Sequence, residues 1–100
     1  MKGRPKIGTY VGTGAAINLV LGFVPDKLEI YNGTDRDDFW VWFPNFAAGT
    51  AMAFNTAAAP LAANGVTALN SLTLGAGVTL GTALSEAGKT FNYVAFSDGA

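Results

Sequence analysis

The 100-residue sequence contains no cysteine and no histidine. Without cysteine it can form neither a disulfide nor a thiolate metal site, and without histidine it lacks the commonest general base and metal ligand. Six Lys and Arg residues against seven Asp and Glu give a formal net charge of −1, so no basic stripe is present to hold a nucleic-acid backbone. We therefore expect a non-enzymatic protein that uses no cofactor or metal and binds no nucleic acid.

Charged side chains are scarce and unevenly placed. They make up 13% of the sequence, about half of the ~25% usual for a soluble domain. Ten of the thirteen lie in residues 1–38 and three in residues 86–98, so residues 39–85 carry none. A domain of this size must present much of that uncharged stretch to its surroundings. We expect either a membrane or another protein to cover it.

The uncharged stretch does not suit a membrane span. A spanning helix needs ~20 mostly apolar residues in one run, and Pro44, Gly49 and Pro60 interrupt this one together with several Asn and Thr residues. The basic segment 2–6, followed by the uncharged segment 7–24, imitates a signal peptide, but glycines, threonines and an asparagine break up its apolar part. We therefore predict no membrane contact and no export signal.

Alternating apolar and polar residues indicate β-strands. The pattern is seen in residues 17–21, 27–31, 39–43, 66–72, 78–80 and 90–96, with turn signals between them such as Asn32-Gly33. About six to eight short strands with this spacing predict an all-β fold, an antiparallel β-sandwich or small β-barrel. Residues 46–64 are Ala-rich and weakly patterned, so we predict a long loop or a short helical turn there. We expect a single domain over residues 1–100, with residues 1–6 as an extended N-terminal arm.

Residues 39–43 are the most aromatic segment of the chain. Alternation places Trp40 and Trp42 on one face of a strand and Phe39, Val41 and Phe43 on the other, so both faces are apolar. Two tryptophans on one face can fill a core, anchor a protein interface or stack against a sugar. The sequence leaves these three interpretations open, with core packing the commonest fate of such residues.

Two short motifs imitate functional sites. Residues 83–90 fit a phosphate-binding loop if Ala83 replaces the first glycine, but Thr90 opens a strand pattern and not the helix that such a loop requires. Asp35, Asp37 and Asp38 lack the central glycine and distant glutamate of a calcium loop. We interpret the first motif as a hairpin turn and the second as a solvated loop tip. Hydrolysis by these carboxylates is a remote third hypothesis.

Two segments resemble small virion proteins of tailed bacteriophages. The first comprises Gly12-Thr13-Gly14, Asn18, residues 22–26 (Gly-Phe-Val-Pro-Asp) and residues 29–32 (Glu-Ile-Tyr-Asn). The second comprises residues 77–81 (Gly-Val-Thr-Leu-Gly) and residues 88–96, and it resembles the closing β-hairpin of those proteins. Residues 35–64 show no such resemblance. The resemblance implies a head-decoration, minor-capsid or tail component without enzyme activity.

The resemblance and the uncharged stretch together predict a capsid decoration, or cement, protein. Such a protein would be made in the host cytoplasm and would bind the major capsid protein on the virion surface, where it stabilises the head. We expect it to bind as a homo-oligomer, with a trimer favoured. The uncharged stretch fits this expectation because obligate interfaces are depleted in charge. The alternative is a tail or fibre module that binds a host-surface glycan through its two tryptophans. The candidate interface residues are Lys2, Arg4, Lys6, Trp40, Trp42, Phe46, Met52 and Phe54.

Overall fold

A computed structural model gives the fold of residues 5–36, 39–54 and 61–97. These residues form eight strands and one short 3-10 helix, Thr82–Leu84. The strands are β1 (Lys6–Val11), β2 (Ile17–Val20), β3 (Lys27–Asn32), β4 (Phe39–Trp42), β5 (Thr50–Phe54), β6 (Leu61–Ser71), β7 (Gly75–Leu80) and β8 (Thr90–Phe96). The predicted all-β fold is confirmed, because the strands form one antiparallel sheet that curls into a half-barrel.

The strand order explains why the sheet curls. It is β1-β8-β3-β4-β5-β6-β7-β2, so β1 and β2 lie at opposite edges although they are consecutive in the chain. Eight strands spaced ~4.8 Å apart would separate the edges of a flat sheet by roughly 34 Å. The connection from the end of β1 to the start of β2 spans at most about 21 Å when fully extended. The sheet must therefore bend until its two edges approach each other.

The inner side of the curled sheet holds the core. Alternate residues of β3, β4 and β8 point inward because the side-chain period of a strand is two, and they meet apolar residues of β6, β7 and the 3-10 helix. The largest fully buried apolar side chains include Trp42, Phe91, Leu28, Ile30, Leu80, Leu84, Val66 and Val78.

Tyr10 attaches the edge strand β1 to this core. Its ring stacks on Phe91 with centroids 5.1 Å apart. Its hydroxyl donates to the carbonyl of Leu84 at 2.8 Å, which links β1 to the end of the 3-10 helix. Burial raises the pKa of the Tyr10 hydroxyl well above its usual range, so this phenol remains a neutral donor at physiological pH.

The prediction of a loop over residues 46–64 is wrong for two parts of that range. Thr50–Phe54 form β5, and β6 begins at Leu61. Alanine has little β-propensity, but β5 is held by pairing with β4 on one side and β6 on the other. The register of the β5–β6 pair shifts between Thr50, opposite Val66, and Ala51, opposite Leu61. Residues 55–60, in the middle of the predicted loop, lie outside the described residues.

The expected closing hairpin of residues 77–96 is also absent from the described fold. β7 pairs with β6 and β2, whereas β8 pairs with β1 and β3. Residues 81–89 therefore connect two strands that are not neighbours. Alternation identified both strands correctly, but alternation carries no information about which strands pair.

Two positions in the connecting segments require glycine, each for a different physical reason. Gly81 lies between β7 and the 3-10 helix, and its N–H donates to the carbonyl of Gly65 at 2.7 Å. A Cβ on Gly81 would overlap the backbone of Asn64, so the close approach to β6 requires glycine. Gly22, after β2, has a φ of 89° and open space where a Cβ would be. Gly22 is therefore required by its backbone conformation and not by contact.

Candidate interaction surface

Trp40 and Trp42 lie on the inner face of β4, in the core. Their side chains are only 6% and 2% exposed, and the Trp40 ring tilts against Phe91 with centroids 6.1 Å apart. Neither indole offers a face to a sugar or to a partner protein. Of the three interpretations left open by the sequence, the structure shows core packing, and it removes both residues from the set of candidate interface residues.

The outer face of the same strands carries a row of three stacked rings, the aromatic row of Tyr31, Phe39 and Phe54. Tyr31 lies opposite Phe39 in the β3–β4 pair, and Phe39 lies opposite Phe54 in the β4–β5 pair. The ring centroids are 5.1 Å apart for the first pair and 4.6 Å for the second, with interplanar angles of 22° and 10°. Cross-strand aromatic pairs of this kind stabilise a sheet, and this row also presents apolar surface to the outside.

A groove of about 440 Å³ runs along the aromatic row. The three rings line it together with Arg36, Asn92 and the backbone of the β3–β4 turn at residues 32–33. Its volume lies within the ~300–1,000 Å³ range of clefts that enclose small ligands. The groove therefore combines an apolar wall with two side chains, a guanidinium and an amide, that can donate hydrogen bonds.

The turn after β3 is built around the buried side chain of Asn32. Its Oδ1 accepts the N–H groups of Thr34 at 3.1 Å and Asp35 at 3.0 Å, and its Nδ2 donates to the Asp35 carboxylate. Lys89 pairs with the same carboxylate at 3.0 Å, and this contact lowers the pKa of Asp35. Both ends of the Asn32 amide thus make hydrogen bonds inside the turn, which fixes one end of the groove.

One cluster of charged groups stands beside the aromatic row. The hydroxyl of Tyr31 donates to Glu29 at 2.7 Å, and Lys27 lies 3.1 Å from the other Glu29 oxygen. The hydrogen bond from Tyr31 is the main reason that the pKa of Glu29 is lowered, with Lys27 adding to the effect, and the same bond raises the pKa of Tyr31. The cluster is neutral as a whole, so it adds no net charge to the outer face.

A second row of outward side chains runs parallel to the aromatic row. Strand pairing places Ile7, Val94, Glu29, Val41 and Met52 side by side across β1, β8, β3, β4 and β5. Ile7 is 70% exposed and Met52 is 42% exposed. We call the four apolar members the outer apolar row. Glu29 is its one charged interruption among the described residues.

A separate apolar feature lies at the turn between β6 and β7. Leu72 is fully exposed and Leu74 is half exposed at this tip. The hydroxyl of Ser71 accepts the N–H groups of Thr73 and Leu74 at 3.2 and 3.0 Å, which orders the backbone of the turn. We call residues 72–74 the leucine tip.

The basic residues predicted for an N-terminal arm are only partly described. Lys2 and Arg4 lie outside the described residues. Lys6 was expected in the extended arm, but it is the first residue of β1 and lies opposite Ala95. Its Nζ donates to the carbonyl of Leu21 at 3.3 Å, across the gap between the two sheet edges. The prediction that the arm includes Lys6 is therefore wrong, because the backbone of Lys6 belongs to the sheet.

Two of the remaining predicted interface residues lie on the outer face, whereas Phe46 packs partly against the core. Met52 and Phe54 are exposed on β5, in the outer apolar row and the aromatic row respectively. Phe46 is half-buried and packs edge to face against Phe43, with centroids 5.7 Å apart. Sequence reasoning missed Tyr31 as a site residue, whereas Phe39 belongs to the aromatic segment 39–43 that the sequence favoured for an interface. With both faces of β4 apolar, alternation could not tell which one faces outward.

Comparison of the chain with protein-family models, curated proteins and solved structures finds no match. In the part of the chain that the structure describes, no helix is long and apolar enough to cross a bilayer. Over the same residues, no group of acidic side chains is placed to hold a metal ion. Asp37 and Asp38, considered above as carboxylates for hydrolysis, lie outside that part.

Proposed function

We propose that this chain is a non-enzymatic structural protein of a bacteriophage virion, a capsid decoration protein that binds the major capsid protein as a homo-oligomer. The observation that carries the proposal is the outer apolar row. Its four residues lie on β1, β8, β4 and β5, with exposed Ile7 at one end and exposed Met52 at the other. The position between them on β3 is taken by Glu29, which pairs with Lys27.

The apolar pairs Ile7–Val94 and Val41–Met52, on either side of Glu29, suit contact with a partner surface. Monomeric soluble proteins rarely expose large contiguous apolar patches, and such patches mark interaction sites. Protein interfaces are depleted in charged residues at their centres, and β4 and β5, which carry no charged residue, are two of the five strands on this face. The resemblance of Gly12-Thr13-Gly14, Asn18 and residues 22–26 and 29–32 to small virion proteins favours a viral shell as that partner.

The mechanism of such a protein is mass action. A protein that binds the assembled shell, and not its separated subunits, stabilises the shell by its own binding free energy. The gain is ~2.7 kcal/mol per site when the free protein is present at 100 times its Kd. A homo-oligomer, with a trimer favoured on a lattice with three-fold sites, multiplies this effect because each copy adds a contact.

Cosedimentation with expanded capsids of the phage that encodes the chain tests the proposal. The double variant Ile7→Lys/Met52→Lys places two charges in the outer apolar row and should abolish binding while the circular dichroism spectrum stays unchanged. The matched control Val20→Lys changes a half-exposed apolar residue of β2, away from the row, and should bind normally. A wild-type chain that stays monomeric and does not sediment with the capsids would overturn the proposal.

A glycan-binding tail or fibre module is the second candidate, and the groove along the aromatic row is the observation that favours it. The groove combines apolar rings with an amide and a guanidinium, and a few polar groups in an apolar cleft can fix the orientation of a small ligand. The site differs from the predicted one, because the tryptophans are buried. Backbone NMR shifts at Phe39 and Phe54 during a sugar titration test it. Saturable shifts would support the module, and unchanged shifts with host-surface glycans would refute it.

A further inference from the structure

The leucine tip is an unusual turn. Hairpin turns are normally built from glycine, asparagine, aspartate and serine, but this one presents Leu72 at full exposure with Leu74 beside it. The two hydrogen bonds to Ser71 hold the backbone in shape, so the leucines are presented by an ordered turn. Two apolar side chains held out in this way form a small knob without any charged group.

The groove along the aromatic row lies at the other end of the sheet from the leucine tip. The groove is next to the β3–β4 turn, where Lys89 contacts Asp35. Strand β6 passes the start of β5 at Val66, opposite Thr50, and continues in the same direction for five more residues to Ser71. The tip therefore projects beyond the end of the sheet where β4 ends and β5 begins. Groove and tip are separated along the strand direction.

The two features are complementary in size and chemistry. A groove of about 440 Å³ walled by three rings can accept the side chains of both leucines. Arg36 and Asn92 at its rim are hydrogen-bond donors, and backbone carbonyl groups of an exposed turn are acceptors. Ser71 has already taken up the N–H groups of Thr73 and Leu74, so the tip presents acceptors to a groove that presents donors.

We propose that the leucine tip of one copy of this chain inserts into the aromatic groove of the next copy. Because tip and groove are different surfaces at opposite ends, the contact is head-to-tail. An open chain of copies therefore keeps one free tip at one end and one free groove at the other until a ring closes. This inference rests on the homo-oligomer in the proposed function and gives it a geometry.

A second copy fits these observations better than a glycan does. A sugar would account for the groove but would leave the exposed leucines without a role. A copy of the same chain accounts for both features with a single contact.

Sedimentation velocity of the full chain over a wide concentration range tests the proposal with three variants. Leu72→Ser/Leu74→Ser removes the tip, Phe54→Ser opens one wall of the groove, and Ile7→Ser is the matched control on the outer apolar row. All four substituted residues are exposed, so each variant should keep the wild-type circular dichroism spectrum. Loss of the two leucines should raise the concentration for half-association roughly 100-fold or more, and the control should leave it unchanged.

Mixing the two defective variants is the decisive step. The tip variant keeps an intact groove and the groove variant keeps an intact tip, so a 1:1 mixture should form a dimer and nothing larger, although each variant alone is monomeric. Wild-type association in either variant, or a mixture that stays monomeric, would overturn the proposal. So would a wild-type chain that is monomeric and whose groove binds a sugar. The capsid-binding assay with Ile7→Lys/Met52→Lys does not affect the outcome of the mixing experiment. The proposed function and the tip-in-groove contact can therefore be refuted independently.

Discussion

Replacing Trp42 with phenylalanine should leave the stability of the fold nearly unchanged, although Trp42 is among its most buried side chains. The indole Nε1 has no hydrogen-bond partner among the described residues. A buried donor without a partner costs ~1–3 kcal/mol, and the substitution removes it. The phenyl ring also lacks two buried carbons of the indole, which costs ~1.6 kcal/mol at ~0.8 kcal/mol each, plus a small cavity. The two effects oppose each other, so the free energy of unfolding should change by less than ~1 kcal/mol.

Two further variants separate these effects. Trp40→Phe removes a similar volume from the same face of β4, but Trp40 has no buried, unpartnered nitrogen among the described atoms. It should therefore cost ~1–2 kcal/mol with nothing to offset the loss. Trp42→Ala removes the whole ring from the centre of the core and should cost ~3–5 kcal/mol. The expected order of stability is wild type and Trp42→Phe together, then Trp40→Phe, then Trp42→Ala.

Urea unfolding followed by far-UV circular dichroism is the suitable assay, because tryptophan fluorescence would lose one of its two reporters. The slope of the unfolding free energy against urea concentration should be the same for wild type and variants, which confirms that the same surface is exposed. A loss of more than ~3 kcal/mol in Trp42→Phe at unchanged slope would refute the reasoning, since it would mean that the indole nitrogen makes a strong hydrogen bond in solution.

Two other predictions follow from contacts described above. In urea unfolding, Gly81→Ala should lower the free energy of unfolding by at least ~1–3 kcal/mol, because the added Cβ meets the backbone of Asn64. Gly22→Ala should lower it by only ~1 kcal/mol, because the only cost there is the left-handed backbone conformation. Equal losses would contradict the steric explanation. Tyr31→Phe removes the bond that lowers the pKa of Glu29 and raises that of Tyr31. The free energy of unfolding of the wild type should exceed that of this variant by up to ~1 kcal/mol between about pH 5 and 9. This difference should shrink as the pH falls through the folded-state pKa of Glu29, and also as the pH rises through the folded-state pKa of Tyr31. A difference that does not change with pH would contradict it.

The sequence was sufficient to predict the strands with clear alternation. In β3, Leu28 and Ile30 alternate with charged or polar residues, and both are fully buried as the pattern requires. Strand β1 was not predicted, because Gly8 interrupts its inward face. The structure shows that the ring of Tyr93 lies where a Cβ of Gly8 would be, so this glycine is part of the packing.

The candidate site could be predicted only in part. Met52 and Phe54 were named from their place in the uncharged stretch, and both are exposed on the outer face. The aromatic row could not be predicted, because it depends on the register that places Tyr31 opposite Phe39 and Phe39 opposite Phe54. Register is set by pairing between segments that are far apart in the sequence, and local alternation contains no information about it.

The pairing of β1 with β8 has a consequence for synthesis of the chain. Lys6 lies opposite Ala95, 89 positions later, and β8 is the neighbour of β1 in the described sheet. While the chain is still on the ribosome, β1 has no strand to pair with until residues 90–96 have emerged. The groove is also incomplete until then, because Asn92 belongs to β8. Neighbouring nascent chains on one messenger RNA therefore cannot present a finished groove to each other before β8 has emerged and paired, which postpones the proposed head-to-tail contact to that stage of synthesis.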